Sequence, residues 1–437
     1  VGARDATLAR RELRRQLDEL EGADRAQAAA LLARPQLGRV QCFTSVCVHW
    51  DQGVATQDYV DQVGEISDDV LATYAAAGYR APKPDGTRGG NALLDIYLED
   101  LGGDGLYGYC DSSTPPTGSG PWDAPAYCAF DNDYAEFPSH TPTENLQVTA
   151  AHELFHAVQF AYDYYEDPWF MEATATWAED ELFDGVDDNV QYLAESPLTQ
   201  PATSMDRSTG LRVYGDWIFF RFLSERFTDK VGGMPTVVRD IWRRADGATG
   251  GRDDYSIEAV ANELASRRSS IRTIWARFAA ANQRPAVSYD EGRANRYPSA
   301  GTAGGTTLTG KKRSATLTRR VDHLSAKTIR FKRKPGMDAR KLRLAFDLPP
   351  TRRGSGAVAT VYRKNASPTT TVLTTSLKGD GDTVARVAFG RRVKRVEVTM
   401  ANAGIDYRSC WGGSAWSCQG RPVDDNLRMQ VRGKALR

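Results

Sequence analysis

The spacing of apolar residues changes near residue 299 of this 437-residue chain. Before that point helical spacing dominates, and two helices have strong start signals. One is predicted from Thr141 to about Tyr162 and the other from Asp167 to about Glu179, each with a capping residue followed by proline at the first helical position. After that point apolar and polar residues alternate between turn residues, which predicts strands.

Further elements are predicted on both sides of this change. Residues 4–34 are rich in Ala, Leu, Arg and Glu, and their apolar spacing predicts a helical hairpin. Before residue 299, helices are also predicted at residues 58–77, 211–227, 234–245 and 256–281, and strands at 47–50, 91–98 and 127–130. After it, strands are predicted at residues 327–331, 342–346, 358–362, 383–387 and 393–398.

These patterns predict an α+β protein in three parts. Residues 1–39 form a helical segment that is either the remnant of a propeptide or an N-terminal brace. Residues 40–298 form a mainly helical domain with a small sheet, and residues 299–437 form an all-β sandwich. A Gly- and Thr-rich linker at residues 299–310 marks the boundary between the second and third parts.

Charge divides the chain at the same boundary. The formal net charge is zero, yet residues 299–437 carry 29 Lys and Arg against 9 Asp and Glu, so the rest of the chain is strongly acidic. The basic part is predicted to bind an anionic polymer or surface, to dock against the acidic part, or to be simply solvated. Nucleic acid is not expected as a partner, because the aromatic residues of a base-stacking platform are missing.

The cysteines predict the compartment. Three local pairs, none with zinc-ribbon spacing, account for all six cysteines, namely Cys42/Cys47, Cys110/Cys128 and Cys410/Cys418. Such pairs are typical of disulfides in an oxidising compartment, whereas six reduced thiols would indicate a cytosolic protein. No apolar run reaches the length of a membrane span, and a chain that begins with Val1 is consistent with removal of a signal peptide. We therefore predict a secreted protein.

The first of the two strongly signalled helices carries the sequence His-Glu-Leu-Phe-His, from His152 to His156. Residues four apart lie on one face of a helix, so both imidazoles can bind one cation. Glu153 stands beside them, where a carboxylate can take a proton from an activated water. This arrangement is typical of a hydrolytic zinc site, and a chance match in a chain with five His is improbable.

A third ligand is predicted on the second helix. Glu172 lies among apolar and small residues, which is unfavourable for an isolated carboxylate but suits a metal ligand. The alternative is a solvated glutamate near a helix start. Glu179, seven residues later, returns to nearly the same face and is predicted either to orient one of the histidines or to be solvated.

Two phrases, HELFHAVQ and WFMEATATWAED, together resemble the gluzincin clan of zinc metallopeptidases, in which HExxH is followed by a glutamate on the next helix. The chain is similar to a family of secreted bacterial metalloproteases with the same pair of phrases, and the resemblance covers roughly residues 40–290. One departure is that fifteen residues separate His156 from Glu172, fewer than in the best-known gluzincins. The connection between the helices must therefore be short.

The resemblance implies a zincin-like catalytic domain with Zn²⁺ held by His152, His156 and Glu172. It implies that Glu153 is the catalytic base and that Tyr214, on a later helix, stabilises the oxyanion. A core tyrosine with its hydroxyl paired is the alternative for Tyr214. The resemblance also implies that the strand at residues 91–98 is the sheet edge on which an extended peptide docks.

The chain is thus predicted to be a secreted zinc-dependent endopeptidase that acts on protein or peptide substrates. One alternative is a non-catalytic surface- or matrix-binding protein with a structural metal site, although such a site does not need the base Glu153. Another alternative is a hydrolase of non-peptide amides. Residues 131–133 predict a surface turn; calcium binding is the alternative, although they lack the spacing of a calcium-binding loop.

Overall fold

A computed structural model describes residues 4–437, so the first three residues of the predicted N-terminal segment lie outside the described part. Its α-helices are α1 (Thr7–Gln16), α2 (Gly22–Leu31), α3 (Gln57–Ala76), α4 (Pro142–Phe160), α5 (Pro168–Leu182), α6 (Arg212–Gly215), α7 (Trp217–Arg226), α8 (Thr236–Trp242), α9 (Ser256–Ser266) and α10 (Ile271–Ala281). Between residues 4 and 437, no helix is long and apolar enough to cross a membrane.

Strands occur in both halves of the chain, which confirms the predicted mixture of helix and sheet. They are β1 (Arg39–Cys42), β2 (Val46–Trp50), β3 (Leu94–Glu99), β4 (Gly108–Asp111), β5 (Tyr127–Asp131), β6 (Lys230–Val231), β7 (Met234–Pro235), β8 (Gly305–Leu308), β9 (Ser314–Val321), β10 (Ser325–Arg333), β11 (Lys341–Asp347), β12 (Ser355–Arg363), β13 (Ala366–Val372), β14 (Thr383–Ala388), β15 (Val393–Asn402), β16 (Tyr407–Arg408), β17 (Arg421–Pro422) and β18 (Leu427–Leu436).

The described residues divide into two compact units that alternate along the chain. The first unit comprises the residues up to Asn189 together with Leu223–Ala259, and the second comprises Val190–Phe222 and Val260–Arg437. The predicted domain limits at residues 39 and 298 therefore do not coincide with the limits of these units. Residues 4–39 belong to the first unit, and residues 260–298 belong to the second.

Helix α10 explains the difference at residue 298. It packs against β12, β15 and β10 of the second unit, and the indole of Trp275 donates a hydrogen bond to the carbonyl of Ser325 in β10 (3.1 Å). Gly356 of β12 allows this close approach, because a Cβ there would lie 3.1 Å from the Cβ of Ala276. The limit predicted from the sequence follows a change in charge and composition, whereas α10, which precedes that change, packs against strands that follow it.

The sheet of the first unit has the strand order β1-β2-β3-β5-β4. Strands β2, β3 and β5 are parallel, and the outer strands β1 and β4 run antiparallel to their neighbours. The strand predicted at residues 91–98 is β3, in the centre of the sheet, so the prediction that it forms the docking edge is wrong. Both of its faces are buried, as is typical of central parallel strands. The edge that packs against α4 is β4.

All three predicted disulfides are present: Cys42–Cys47, Cys110–Cys128 and Cys410–Cys418. The second of them joins β4 to β5, where its two cysteines are directly paired in the sheet. Strand β4 has four residues, too few to show an alternating pattern, and it was not predicted. Three disulfides are consistent with formation in an oxidising compartment.

Helices α4 and α5 form the buried frame of the first unit. The predicted capping box begins α4: the backbone N–H of Glu144 donates to Thr141 Oγ1 (3.2 Å), and that of Thr141 donates to Glu144 Oε2 (2.8 Å). Nearly every residue of both helices is buried, and the helices pack against each other. Polar side chains inside such a pair must be satisfied by one another or by a bound group.

Two sheets make up most of the second unit, with strand orders β13-β12-β15-β10-β8 and β14-β11-β18-β9. Their apolar residues form one buried cluster. The five predicted strands correspond to β10, β11, β12, β14 and β15, whereas β8, β9, β13 and β18 were not predicted. Strands β9 and β13 contain few large apolar residues. Strand β18 does alternate, with Leu427, Met429 and Val431 buried, so its signal was present in the sequence.

Candidate metal centre

Three side chains from α4 and α5 converge inside the first unit. His152 and His156, one turn apart on α4, have their Nε2 atoms 3.1 Å from each other. The Oε2 atom of Glu172 lies 3.2 Å from the Nε2 of His152 and 3.7 Å from that of His156. All three side chains are buried. The structure thus brings together the three residues predicted as metal ligands.

A tight reversal between the helices accounts for this convergence. Helix α4 ends at Phe160 and α5 begins at Pro168, so residues 161–167 connect them. His156 lies about one turn before the end of α4, and Glu172 lies about one turn after the start of α5. The two side chains therefore face each other across the helix pair, and the short spacing in the sequence is accommodated.

Hydrogen bonds fix the far side of each imidazole. The Nδ1 atom of His152 lies 2.6 Å from Glu179 Oε1, and that of His156 lies 2.7 Å from Gln159 Oε1. The amide nitrogen of Gln159 donates to two groups of α5, so its oxygen is the acceptor. Both Nδ1 atoms are therefore donors, and each Nε2 of a neutral imidazole carries a lone pair. Glu179 is a predicted partner of this kind, whereas Gln159 was not predicted.

The donor set suits a divalent metal ion. Two nitrogen lone pairs and a carboxylate at these distances repel one another unless a proton or a metal cation lies among them. The other oxygen of Glu172, Oε1, is buried and has no hydrogen-bond partner among the described residues. Two imidazoles and one carboxylate, with the imidazoles oriented from behind, are the ligands and outer partners typical of hydrolytic zinc sites. The residues present therefore fit Zn²⁺.

The pKa shifts of the clustered side chains also indicate that positive charge is favoured at this place. Burial tends to lower the pKa of His152, but hydrogen bonds to Glu172 and Glu179 outweigh it and raise the pKa well above 6.5. Burial tends to raise the pKa of Glu172, but the imidazoles of His156 and His152 lower it to about 2. Burial raises the pKa of Glu179 to about 7. The cluster thus stabilises positive charge where the Nε2 atoms meet.

Glu153 lies beside these ligands and close to the edge strand β4. Its side chain is buried, and its Oε2 lies 3.2 Å from the hydroxyl oxygen of Thr7. Burial raises the pKa of Glu153, and the nearby carboxyl of Asp5 raises it further. Gly108 of β4 leaves room for the side chain, because a Cβ there would lie 3.1 Å from Glu153 Cγ.

Asp5 is a fourth member of the cluster that was not predicted. One ligand atom from each of Asp5, His152, His156 and Glu172 lies within 4.8 Å of the others. The Oδ2 of Asp5 is 3.9 Å from the Nε2 of His156. Its Oδ1 accepts hydrogen bonds from the N–H and the hydroxyl of Thr7 (2.8 and 2.6 Å). In the sequence these two residues resemble a helix start, and no spacing links them to the distant motif.

Tyr214, the predicted oxyanion donor, lies in α6 of the second unit. It is buried, and its ring stacks on that of Tyr192 with the ring centroids 4.9 Å apart. Its role beside a site of the first unit stays a prediction.

The acidic residues that follow β5 form a turn. The carboxylates of Asp131, Asp133 and Glu136 lie within 4.8 Å of one another. Both oxygens of Asp131 accept backbone N–H groups, including those of Gly102 and Tyr134. These bonds give Asp131 a role in holding the backbone, and it is buried at the end of β5 rather than part of the predicted surface turn.

No family model and no curated protein matches the sequence. Among solved structures, the chain is similar to CorA, a surface-associated copper-binding protein of Methylomicrobium album BG8, with 9% identity and a TM-score of 0.19 over 31% of this chain and 100% of that chain. It is similar to PliG, a periplasmic inhibitor of g-type lysozyme from Aeromonas hydrophila, with 14% identity and a TM-score of 0.16 over 31% and 100%. A family GH115 4-O-methyl-alpha-glucuronidase matches over 83% of this chain and 54% of its own, with 9% identity and a TM-score of 0.16. At these TM-scores the similarities carry no argument about fold or function.

Proposed function

We propose that the chain is a secreted zinc-dependent endopeptidase, with a zincin-like catalytic domain followed by a β-sandwich domain. The observation that carries the proposal is the convergence of the Nε2 atoms of His152 and His156 with the carboxylate of Glu172, 3.1–3.7 Å apart. Glu153 adds a buried carboxyl group next to them. The three disulfides support an oxidising compartment.

Each residue has a distinct role in the proposed reaction. A zinc ion held by His152, His156 and Glu172 supplies Lewis acidity toward the peptide carbonyl and toward water. Glu153 takes a proton from the attacking water and delivers it to the leaving nitrogen. Glu179 keeps the imidazole of His152 in one orientation and one tautomer. Tyr214 is the proposed hydrogen-bond donor to the oxyanion.

Replacement of the base tests this proposal. Glu153→Gln keeps the size of the side chain but cannot accept the proton, so cleavage of an unfolded protein should fall by about 10²–10⁴-fold. Zinc content, measured by elemental analysis, should remain that of the native chain. Glu65→Gln, an exposed position on α3, is the matched control and should change neither quantity. Residues 35–38 join the N-terminal segment to β1. All three proteins are assayed before and after a protease has cleaved the backbone within this stretch.

The alternative is a non-catalytic surface- or matrix-binding protein with a structural metal site. Asp5 favours it, because a site with four protein donors is typical of structural zinc. This alternative would be supported if the native chain and Glu153→Gln both retained zinc and neither cleaved the protein substrate. That result would have to hold both before and after proteolysis within residues 35–38. A hydrolase of non-peptide amides would also leave the protein substrate intact, and small amide substrates identify it.

The basic part of the chain is proposed to bind an anionic polymer or surface. Residues 299–437 carry 29 basic and 9 acidic residues, and some of this charge is paired internally, as where Arg330 and Arg395 both contact Glu397. Retention of the chain on a polyanionic resin, lost at high salt, is the expected result. Failure to bind at low salt would favour docking against the acidic residues of the same chain.

A further inference from the structure

We propose that residues 4–34 form an inhibitory segment, in which Asp5 supplies the carboxylate that closes the metal site while its neighbours cover the edge strand β4. The inference rests on the proposed peptidase function and adds a means of controlling it. Three sets of contacts carry it: those at the metal ligands, those along β4, and those that attach the segment to the surface.

Asp5 adds a fourth donor to the three ligands of the helix pair. Its side chain is 5% exposed, and its carboxylate lies within 4.8 Å of the ligand atoms of His152, His156 and Glu172. A catalytic zinc site keeps one position for water or substrate, whereas a site with four protein donors is closed. A carboxylate from outside the helix pair therefore competes for the position that catalysis requires.

Thr7 links Asp5 to the proposed base. Its hydroxyl lies 2.6 Å from Asp5 Oδ1 and 3.2 Å from Glu153 Oε2, and it accepts a hydrogen bond from the N–H of Cys110 (2.8 Å). The turn at residues 5–7 thus contacts the metal cluster, the base and the edge strand together. A peptide substrate cannot reach Glu153 while this turn is in place.

Residues 4–6 also pair with the backbone at the start of β4. The N–H of Ala6 donates to the carbonyl of Gly108 (3.3 Å), and the N–H of Tyr107 donates to the carbonyl of Arg4 (2.6 Å). Asp5 and Gly108 form a parallel bridge. Exposed sheet edges bind extended peptides through backbone hydrogen bonds of this kind. The segment therefore occupies the edge on which an extended substrate would dock.

Arginine side chains attach the segment to the rest of the first unit. Arg10 and Arg14 contact the carboxylate of Asp111 on β4 at 3.1 and 2.7 Å. Arg11 donates two hydrogen bonds, of 2.8 and 2.9 Å, to backbone carbonyls in the connection between α4 and α5. These contacts hold the segment on β4, and the segment adds only Ala28 and Leu32 to the buried apolar side chains of the described residues. A segment held in this way can be released without unfolding the domain.

The segment offers exposed backbone at which release could begin. Residues 21–27, at the start of α2, are exposed, and Ala28 is the buried residue of that helix. Exposed stretches with few packed side chains are preferred sites of proteolysis. A permanent brace would make the same contacts as an inhibitory segment. A brace and an inhibitory segment differ in whether replacement of Asp5 opens a coordination position at the metal site.

The test uses the full chain loaded with Co²⁺, whose visible absorption reports metal coordination independently of catalysis. Native chain, Asp5→Asn and Asp18→Asn are compared, with acetohydroxamate as the probe for an open metal position. Asp18 lies on the same segment with its side chain 92% exposed, so Asp18→Asn is the matched control. We expect Asp5→Asn to change the spectrum and to bind the probe at least about tenfold more tightly. With zinc, it should cleave an unfolded protein at least about tenfold faster than the native chain.

Identical spectra, probe affinities and cleavage rates in Asp5→Asn and the native chain would overturn the inference. Loss of the metal from Asp5→Asn would also overturn it, because Asp5 would then be a structural ligand. A gain in probe affinity without cleavage of protein would support Asp5 as the closing ligand and count against the proposed peptidase function.

A second variant keeps the test decisive if thermal melting shows that Asp5→Asn does not fold. Arg14→Gln leaves Asp5 in the chain but removes the contact with Asp111. We expect it to raise the affinity for acetohydroxamate above that of the native chain, because the segment is then held less firmly. An unchanged affinity in Arg14→Gln would overturn the inference.

Discussion

The helix pair α4–α5 and the segment of residues 4–34 reach the same cluster of side chains but are held in place differently. The helices are packed through aromatic rings: Phe155 of α4 meets Tyr74, Tyr79 and Trp177 edge-on, with centroids 5.2, 5.3 and 6.4 Å apart. The segment is attached mainly by arginine side chains to carboxylates and backbone carbonyls. The helix pair contributes many side chains to the apolar core, whereas the segment contributes Ala28 and Leu32.

This difference indicates which contacts are permanent and which can be weakened. Burial of apolar surface does not depend on any single charge, and added salt does not weaken it. Charged contacts at a surface weaken as salt screens them or as a partner is removed. The two helices therefore act as a permanent frame for the metal ligands. The segment is a component whose attachment can be adjusted without loss of that frame.

Substitutions in the two regions are expected to differ most in their effect on metal affinity. Glu172→Gln removes a charged ligand of the frame, and we expect it to weaken Zn²⁺ binding by more than the roughly 10–100-fold typical of losing an outer hydrogen-bond partner. Asp5→Asn should weaken it by less than about tenfold, because two imidazoles and Glu172 remain. Competition with a chromophoric chelator measures both affinities.

Glu65→Gln serves as the control for these affinities, since Glu65 is exposed on α3. It should bind Zn²⁺ as the native chain does. Equal losses in Glu172→Gln and Asp5→Asn would show that the segment belongs to the frame, and the distinction between the two regions would fail.

The next largest difference is in stability. Phe155→Ala removes a fully buried ring from α4 and should lower the free energy of unfolding by about 3–5 kcal/mol. Leu31→Ala, on α2 with its side chain 58% exposed, should change it by less than about 0.5 kcal/mol. Urea denaturation followed by tryptophan fluorescence measures both. A cost of Leu31→Ala near that of Phe155→Ala would contradict the description of the segment as peripheral.

The same difference explains what could be predicted from the sequence. Helices α4 and α5, the spacing of His152, His156 and Glu172, and the three cysteine pairs depend on residues close together in the chain, so local patterns reveal them. Asp5 joins the cluster through strand pairing with Gly108, and no local pattern encodes such a contact. Gln159 resembles any other polar residue of α4 until its neighbours on α5 are known.

The sheet of the first unit was predicted least well for a related reason. Strand order is decided by pairing between distant segments, and β3 was taken as an edge although its run of apolar residues suits a strand buried on both faces. Strand β4, the true edge beside α4, has four residues and a disulfide rather than an alternating pattern. Similarly, the composition change near residue 299 does not reveal that α10 packs on the following sheets.

A pH-dependent effect of smaller size is expected in the connection between α4 and α5, which Arg11 of the segment contacts. Burial raises the pKa of Asp163 there to about 7, while the hydrogen bond from the N–H of Tyr165 and the charge of Arg11 act in the opposite direction. Below pH 3.8 this carboxyl is protonated in both the folded and the unfolded chain. Between that pH and about 7, only the folded chain keeps the proton.

The free energy of unfolding should therefore fall as the pH rises through this window, by at most about 4 kcal/mol from this group. Asp163→Asn does not titrate, so its stability should lack this component and exceed that of the native chain most clearly above pH 7. Urea denaturation at several pH values measures the difference. Parallel curves for the native chain and Asp163→Asn would show that the pKa of Asp163 is the same in the folded and unfolded chains.

The smallest expected effect concerns the attachment of the segment itself. Raising the salt concentration to about 1 M shortens the Debye length to about 3 Å. The contacts of Arg10 and Arg14 with Asp111 should weaken only slightly, because the side chain of Asp111 is 0% exposed and buried pairs are screened little. Amide hydrogen exchange in α1 should therefore accelerate by no more than about fivefold. Mass spectrometry of peptides from α1 and α4 measures both regions in one sample. Exchange in α4 should stay unchanged, because that helix is held by apolar burial. If the two helices accelerate together, the segment opens only with the core, and a detachable inhibitory segment is excluded.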